Sequence, residues 1–422
     1  MIILLLMLIA IVTAPPSHSQ TKAIKCGRLI DGKSDKPIVD AVIIIEGDRI
    51  RRVGSNLAVP PDAEIIDLSE ATVLPGLIDT HTHLLLHGGR YDDQLFKESL
   101  PYRAILGVVA AKKTLEAGFT TVRDVETEGA MYADVALRDA INQGHIPGPR
   151  IQASTRALSI TGGYAPYGYA PEVDIPFGAQ LVDGVDEARK AVREQIRFGA
   201  DVIKIYADSR YRHRLADSLV GSATFTDEEM RAIVDEAGKV GIPVAAHAYT
   251  SAAAQRAILA GVRSIEHGLY LDDATFTLMK KNGVYWVPTL TAYIQWSEDT
   301  TSTLEERAMV SYTVARHKET FQRALKSGVQ IAFGTDAYNP HGSGAQEFGT
   351  MVDYGMSPMD AMRSPTSVAA RLLGWENNLG SVEPGKIADL VAVKGNPLEN
   401  IRTLENVEFV MKGGVVHKTA RK

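Results

Sequence analysis

Two histidines one residue apart close the apolar run LPGLIDTHTH at residues 74–83. If that run is a strand, successive side chains alternate faces, so His81 and His83 point one way and Thr82 the other. Neutral imidazoles are common ligands of zinc and related cations, and a strand end is rigid enough to fix coordination geometry. Two ligands do not complete such a site, so the remainder must come from elsewhere in the chain.

Residues 73 to 378 alternate apolar, β-rich runs with helical patterns. Eight strands are predicted, at 73–79, 120–125, 150–154, 201–206, 244–247, 264–267, 284–290 and 329–334. Helices fit the gaps, for example at 102–116, 185–198, 226–239, 251–260 and 305–326, with a Thr226 cap and Glu229 three residues on. Several end in glycine, as at Ala117-Gly118, Phe198-Gly199 and Val240-Gly241. Strand and helix repeated eight times predict an α/β fold, the (β/α)8 TIM barrel, whose functional residues sit at the C-terminal ends of its strands. Six ligand-capable side chains fall there: His81, His83, Lys204, His247, His267 and Asp336.

Both chain ends have a different texture. Short β-branched runs broken by turn residues occupy 21–68 and return after Gly380, with Gly413-Gly414 marking a hairpin. Neither half buries its apolar face alone, which predicts a small β-sandwich domain built from both ends. The expected organisation is a signal peptide at 1–19, the β-sandwich at 20–72 and 379–422, and the barrel at 73–378.

Residues 1–13, MIILLLMLIAIVT, are strongly apolar, but shorter than the roughly 18–20 residues of a spanning helix. They read as a signal-peptide core with Ser17-His18-Ser19 as a small-x-small cleavage site, predicting a periplasmic or secreted protein with no stable membrane insertion after cleavage. An uncleaved membrane anchor is the alternative. Cys26 is the sole cysteine, so no intramolecular disulfide forms. A net charge of −6 provides no basic field for nucleic acid and leaves a small polar or anionic substrate to be met by local charges.

The motifs PGLIDTHTH, VIKIYAD, AAHAYT, IEHG and AFGTDA, closed by GSVEPGKIADLVAV, resemble those of the metal-dependent amidohydrolase superfamily. The likeness is greatest to the imidazolonepropionase-like branch, which includes Xaa-Pro and Xaa-Arg dipeptidases and ochratoxin-hydrolysing, carboxypeptidase-like enzymes. The resemblance implies a barrel with a β-sandwich from both termini and a site for two divalent metal ions, expected to be zinc. It assigns His81, His83 and Asp336 to the more buried metal and His247 and His267 to the outer one. Lys204, N6-carboxylated by carbon dioxide, would bridge them: a carbamate offers two anionic oxygens where an ammonium offers none. A metal pair brings the pKa of a shared water towards neutrality, and Asp336 is the natural proton acceptor. Relatives are often homo-oligomers, and the resemblance implies the same here.

Substrate contacts are predicted more loosely. Tyr206 and Tyr249, each two residues after a ligand, are candidates to hydrogen-bond a substrate carbonyl or carboxylate. Arg210, Arg212 and Arg214, in the loop after the fourth strand, suit a bidentate grip on a C-terminal carboxylate. In the loop after the third strand, Tyr164 stands where relatives often carry a histidine after paired glycines; with Tyr167, Tyr169 and Phe177 it predicts an aromatic wall or an interface loop. His87 and His341 are placed near the site, whereas His145, His213, His317 and His417 have no partner visible in sequence and read as structural. The leading expectation is cleavage of an amide bond in a dipeptide or N-acyl amino acid. The alternatives are a cyclic amide, lactone, deaminase or imidazolonepropionase-like substrate, or a non-catalytic binding barrel, against which the complete ligand set argues.

Overall fold

The computed structural model describes residues 21–164, 166, 168–209, 221–300, 302–336 and 338–419. The expected signal peptide lies outside them. Among the described residues, no helix is long and apolar enough to cross a membrane.

The two chain ends share one seven-stranded sheet. Its middle strand, Glu64–Pro75, runs parallel to Thr21–Leu29 and antiparallel to Leu390–Lys394, which brings Val391 opposite Leu74. Alternation sends Ile24, Cys26, Ile43, Ile45, Val73, Leu390, Phe409 and Met411 into one apolar cluster that neither end could assemble alone. Cys26 is buried there, and its thiol donates to the Ala41 carbonyl.

The predicted first strand divides in two. Residues 73–75 finish the long strand of the seven-stranded sheet, and Leu77–Thr82 begins the central α/β unit. Gly76 is the pivot, because a β-carbon there would collide with the Thr120 side chain.

The α/β unit is TIM-barrel-like. Leu77–Thr82, Phe119–Asp124 and Arg150–Ala153 pair in parallel, and Ile203–Tyr206, Val244–Thr250, Ser264–Tyr270 and Tyr285–Val287 form a second parallel run. Asp201 N–H donates to the Ala153 carbonyl between the two runs. The predicted eighth strand is reduced to one bridge, Trp286 to Ile331; Thr80 N–H donates to the Phe333 carbonyl and Asp336 N–H to the His81 carbonyl. The predicted strand at 284–290 is cut short, since Thr289 turns left-handed and opens the helix Leu290–Glu298.

Helix positions follow their caps. Leu100–Glu116 begins two residues before the predicted start, because Ser99 accepts from Tyr102 N–H and Pro101 suits the first turn. Asp227–Gly238 and Leu304–Ser327 both open on complete capping boxes, Thr226 with Glu229 and Thr303 with Glu306.

Candidate metal centre and substrate pocket

All six predicted ligands line one cavity of about 520 Å³ at the strand ends. His81 lies near the end of the Leu77–Thr82 strand and His83 just after it, Lys204 lies in Ile203–Tyr206, His247 in Val244–Thr250 and His267 in Ser264–Tyr270. Asp336 follows the segment bridged to Trp286. Asp336 Oδ1 lies 3.2 Å from His83 Nε2 and 3.8 Å from His81 Nε2. One ligand atom from each of these three residues falls within 4.8 Å of the others. The imidazole rings continue across the cavity, with centroids 4.8 Å apart for His81 and His267 and 4.6 Å for His247 and His267.

The donor chemistry suits a cation. His81 Nδ1 sits 2.7 Å from Glu266 Oε2, so that nitrogen carries the proton and Nε2 presents a lone pair. His81 Nε2 is buried and has no hydrogen-bond partner among the described residues, and a metal would supply one. Burial first, then the nearby cationic groups, holds His81 well below the usual histidine pKa; burial does the same to His247 and His267, keeping these imidazoles neutral. Burial also opposes charge on His83, but its hydrogen bond to Asp336 prevails and raises its pKa to about 10. A cation between the two would take the place of that proton. Lys204 is 1% exposed, and burial lowers its pKa against the pull of Glu266, Glu126 and Asp336.

A second layer orients these candidate ligands. Glu266 Oε1 accepts from Arg123 and Ser264, while Arg123 Nε donates to the Thr80 carbonyl, all with the side chains buried. His83 Nδ1 meets the Glu126 carbonyl at 3.1 Å, and His267 Nδ1 meets Thr289 Oγ1 at 2.8 Å. His267, Thr289 and Asp336 all have positive φ, at 67°, 50° and 53°. Such left-handed conformations cost a non-glycine residue roughly 1–3 kcal/mol and persist where the surroundings over-determine them. Sequence reasoning missed Glu266 although it precedes His267 in IEHG; Arg123 and Thr289 carry no local signal, because their partners are distant in the chain.

The predicted substrate residues separate into groups. Tyr164, Tyr206, Tyr249 and His87 line the cavity. Tyr206 directs its hydroxyl to Glu126 and stacks on Tyr164 with centroids 4.4 Å apart, and Tyr164 donates to Glu128 at 3.3 Å. The His87 ring nitrogens are engaged by the Gly88 carbonyl and Glu98. His341 is not brought to the cavity: its Nε2 binds the Leu86 carbonyl behind the wall. Arg210, Arg212 and Arg214 lie outside the described residues, as does Tyr167. The predicted wall from the third loop contributes Tyr164 and Pro166, while Tyr169 is tied to Asp92 and packs on Phe96. Tyr91, Tyr293, Trp296 and Tyr338 supply most of the remaining aromatic lining from other elements.

A TIM-barrel-like unit carrying buried histidines and an aspartate at its strand ends defines a class of hydrolases. Residues 72–420 match the Amidohydrolase family, and the chain belongs to that family. It is 32% identical over 442 aligned residues to ochratoxinase of Aspergillus niger, covering 97% of this chain and 89% of that protein. Imidazolonepropionase of Fusobacterium nucleatum is 24% identical, covering 82% and 83% of the two chains. The crystal structure of a Xaa-Pro dipeptidase with bound methionine in the active site superposes with a TM-score of 0.87 at 40% identity, covering 94% of this chain and 100% of the other. The protein is a hydrolytic enzyme acting on C–N bonds.

Proposed function

We propose that this enzyme is a binuclear metal-dependent amidohydrolase cleaving the amide bond of a dipeptide or N-acyl amino acid. The observation that carries the reading is the buried, partnerless Nε2 of His81 beside His83 and Asp336, with Lys204, His247 and His267 on the same cavity. In this reading His81, His83 and Asp336 would hold an inner ion and His247 and His267 an outer one, and N6-carboxylated Lys204 would offer anionic oxygens to both. Carboxylation needs a neutral amine, which the burial of Lys204 favours. Zinc suits the histidine-rich donor set.

When bound, the metals would polarise the scissile carbonyl and make a water acidic enough to attack near neutral pH. The chain's own groups do the remaining work. The Asp336 side chain, 20% exposed where His81 is 0%, reaches the cavity as proton acceptor and passes the proton to the leaving nitrogen. Tyr91, Tyr164, Tyr249 and Tyr293 offer aromatic surface to the acyl and amine portions of the substrate. Substrate class is inferred from the ochratoxinase and Xaa-Pro dipeptidase relatives.

The domain division belongs to the same reading: a β-sandwich from 20–72 and 379–422 and a closed (β/α)8 barrel from 73–378. The shared sheet and the hydrogen bonds from Thr80 and Asp336 to their partners support it. Export to the periplasm or medium is proposed from the apolar N-terminus.

Metal analysis joined to an amine-release screen over dipeptides and N-acyl amino acids tests the function. Lys204→Arg, whose guanidinium stays charged and cannot be carboxylated, should lose metal and at least about 100-fold in kcat/KM. Native protein exposed to 13C-bicarbonate should show a carbamate signal that the variant lacks. Full activity after exhaustive chelation, or two tightly bound metals in Lys204→Arg, would show the reading to be wrong.

A further inference from the structure

Two buried donors converge on the main-chain carbonyl of His267. Trp286 Nε1–H donates to it at 3.0 Å, and His317 Nε2 lies 3.1 Å away. A carbonyl oxygen is an acceptor only, so His317 must hold its proton on Nε2, and the two contacts occupy both lone pairs. Trp286 is 0% and His317 1% exposed. They arrive from different elements, the strand Tyr285–Val287 and the helix Leu304–Ser327.

The peptide they hold is unusual. His267 has φ of 67° and Gly268 φ of 60°, consecutive left-handed conformations that only glycine adopts readily. A β-carbon at Gly268 would collide with the Trp286 indole nitrogen, so the indole lies directly against the turn. Backbone conformation at 267 sets the direction of the Cα–Cβ bond and therefore where the ring stands relative to His247 and Thr289. Without the two donors the carbonyl would be a buried acceptor lacking partners, and the turn would lose what offsets its strain.

We propose that His317 and Trp286 are positioning residues for His267, pinning the left-handed peptide that aims this imidazole at the outer metal. This inference rests on the two-metal reading above. His317, which shows no partner in sequence, thereby acquires a role 50 residues from the group it serves.

The test titrates metal-free protein with Co2+ and follows visible absorption. His317→Phe keeps an aromatic ring against Tyr293 and Trp286 but removes the donor; Trp286→Phe removes the other donor independently. Each should bind the first ion as the native protein does and the second about 10- to 100-fold more weakly, with an altered d–d band. His317→Gln, which restores an N–H, should recover most of that loss. His267→Ala is the reference and should lose the second ion. Native second-ion affinity and spectrum in either phenylalanine variant overturns the inference, whatever happens to Tm. Two native-affinity ions in His267→Ala would instead overturn the two-metal reading. If His317→Phe fails to fold, Trp286→Phe and His317→Gln decide: native second-ion binding in Trp286→Phe, or a full loss of that binding in His317→Gln, overturns it.

Discussion

The Asp79 carboxylate is bonded twice to Thr335: Oδ1 accepts its backbone N–H at 3.1 Å and Oδ2 its hydroxyl at 2.6 Å. Oδ1 also accepts from His81 N–H at 3.0 Å. One buried acid thus ties the strand carrying His81 to the segment carrying Asp336, residues 255 positions apart in the chain and 3.8 Å apart at their nearest ligand atoms.

Asp79→Ala should therefore damage more than stability. It leaves two backbone donors and a hydroxyl without their acceptor, each unsatisfied buried group costing about 1–3 kcal/mol. The expected outcome is a destabilised protein whose inner-metal affinity falls in parallel. Denaturant unfolding and metal competition check both. A stability loss with native metal affinity would show that Asp79 does not set the separation of His81 and Asp336.

Glu266→Gln addresses the other side of His81. The native carboxylate accepts from His81 Nδ1 and from buried Arg123. The amide keeps the shape but removes the charge opposite a guanidinium that is 1% exposed. Breaking such a buried pair costs about 3–5 kcal/mol. Loss of the carboxylate behind a ligating histidine typically weakens metal binding about 10- to 100-fold. Equilibrium unfolding of the metal-free protein isolates the first effect, and metal titration reads the second.

Stability should depend on pH in part through Glu347, which accepts from the Leu290 and Thr291 N–H groups. Burial pushes its pKa up from 4.5 to about 7, against hydrogen bonds from Thr291 and Leu290. The folded state therefore holds a proton that the unfolded chain has released. This contribution to stability is fully present below about pH 4.5 and is lost as pH rises towards about 7, at up to about 1.4 kcal/mol per pH unit. Glu347→Gln should lower the slope across that window by up to one proton, the remainder coming from other buried acids such as Asp79, Asp134 and Asp208, which burial also raises. An unchanged slope would assign the pH dependence to other groups.

Strand and helix alternation is legible in the chain because the apolar periods of the two element types differ and because caps such as Thr226 with Glu229 act locally. The paired histidines and the other candidate ligands are legible for a related reason: a parallel barrel places functional groups at strand ends, so each falls at or just after the end of an apolar run. The pairing of the two chain ends follows from the apolar faces that each leaves uncovered. The position of His341 does not follow, since whether a loop histidine faces a cavity or a carbonyl depends on backbone directions set by distant contacts.

What the sequence by itself determined was the class of fold, the six ligand-type side chains and the family they belong to. Only the tertiary structure decided how those ligands are aimed. Glu266, Arg123, Asp79, Trp286 and His317 act through hydrogen bonds to residues that are not their neighbours in the chain, apart from Asp79 with His81 and Glu266 with Ser264. Such bonds exist only once the strands are assembled, and no local propensity encodes them.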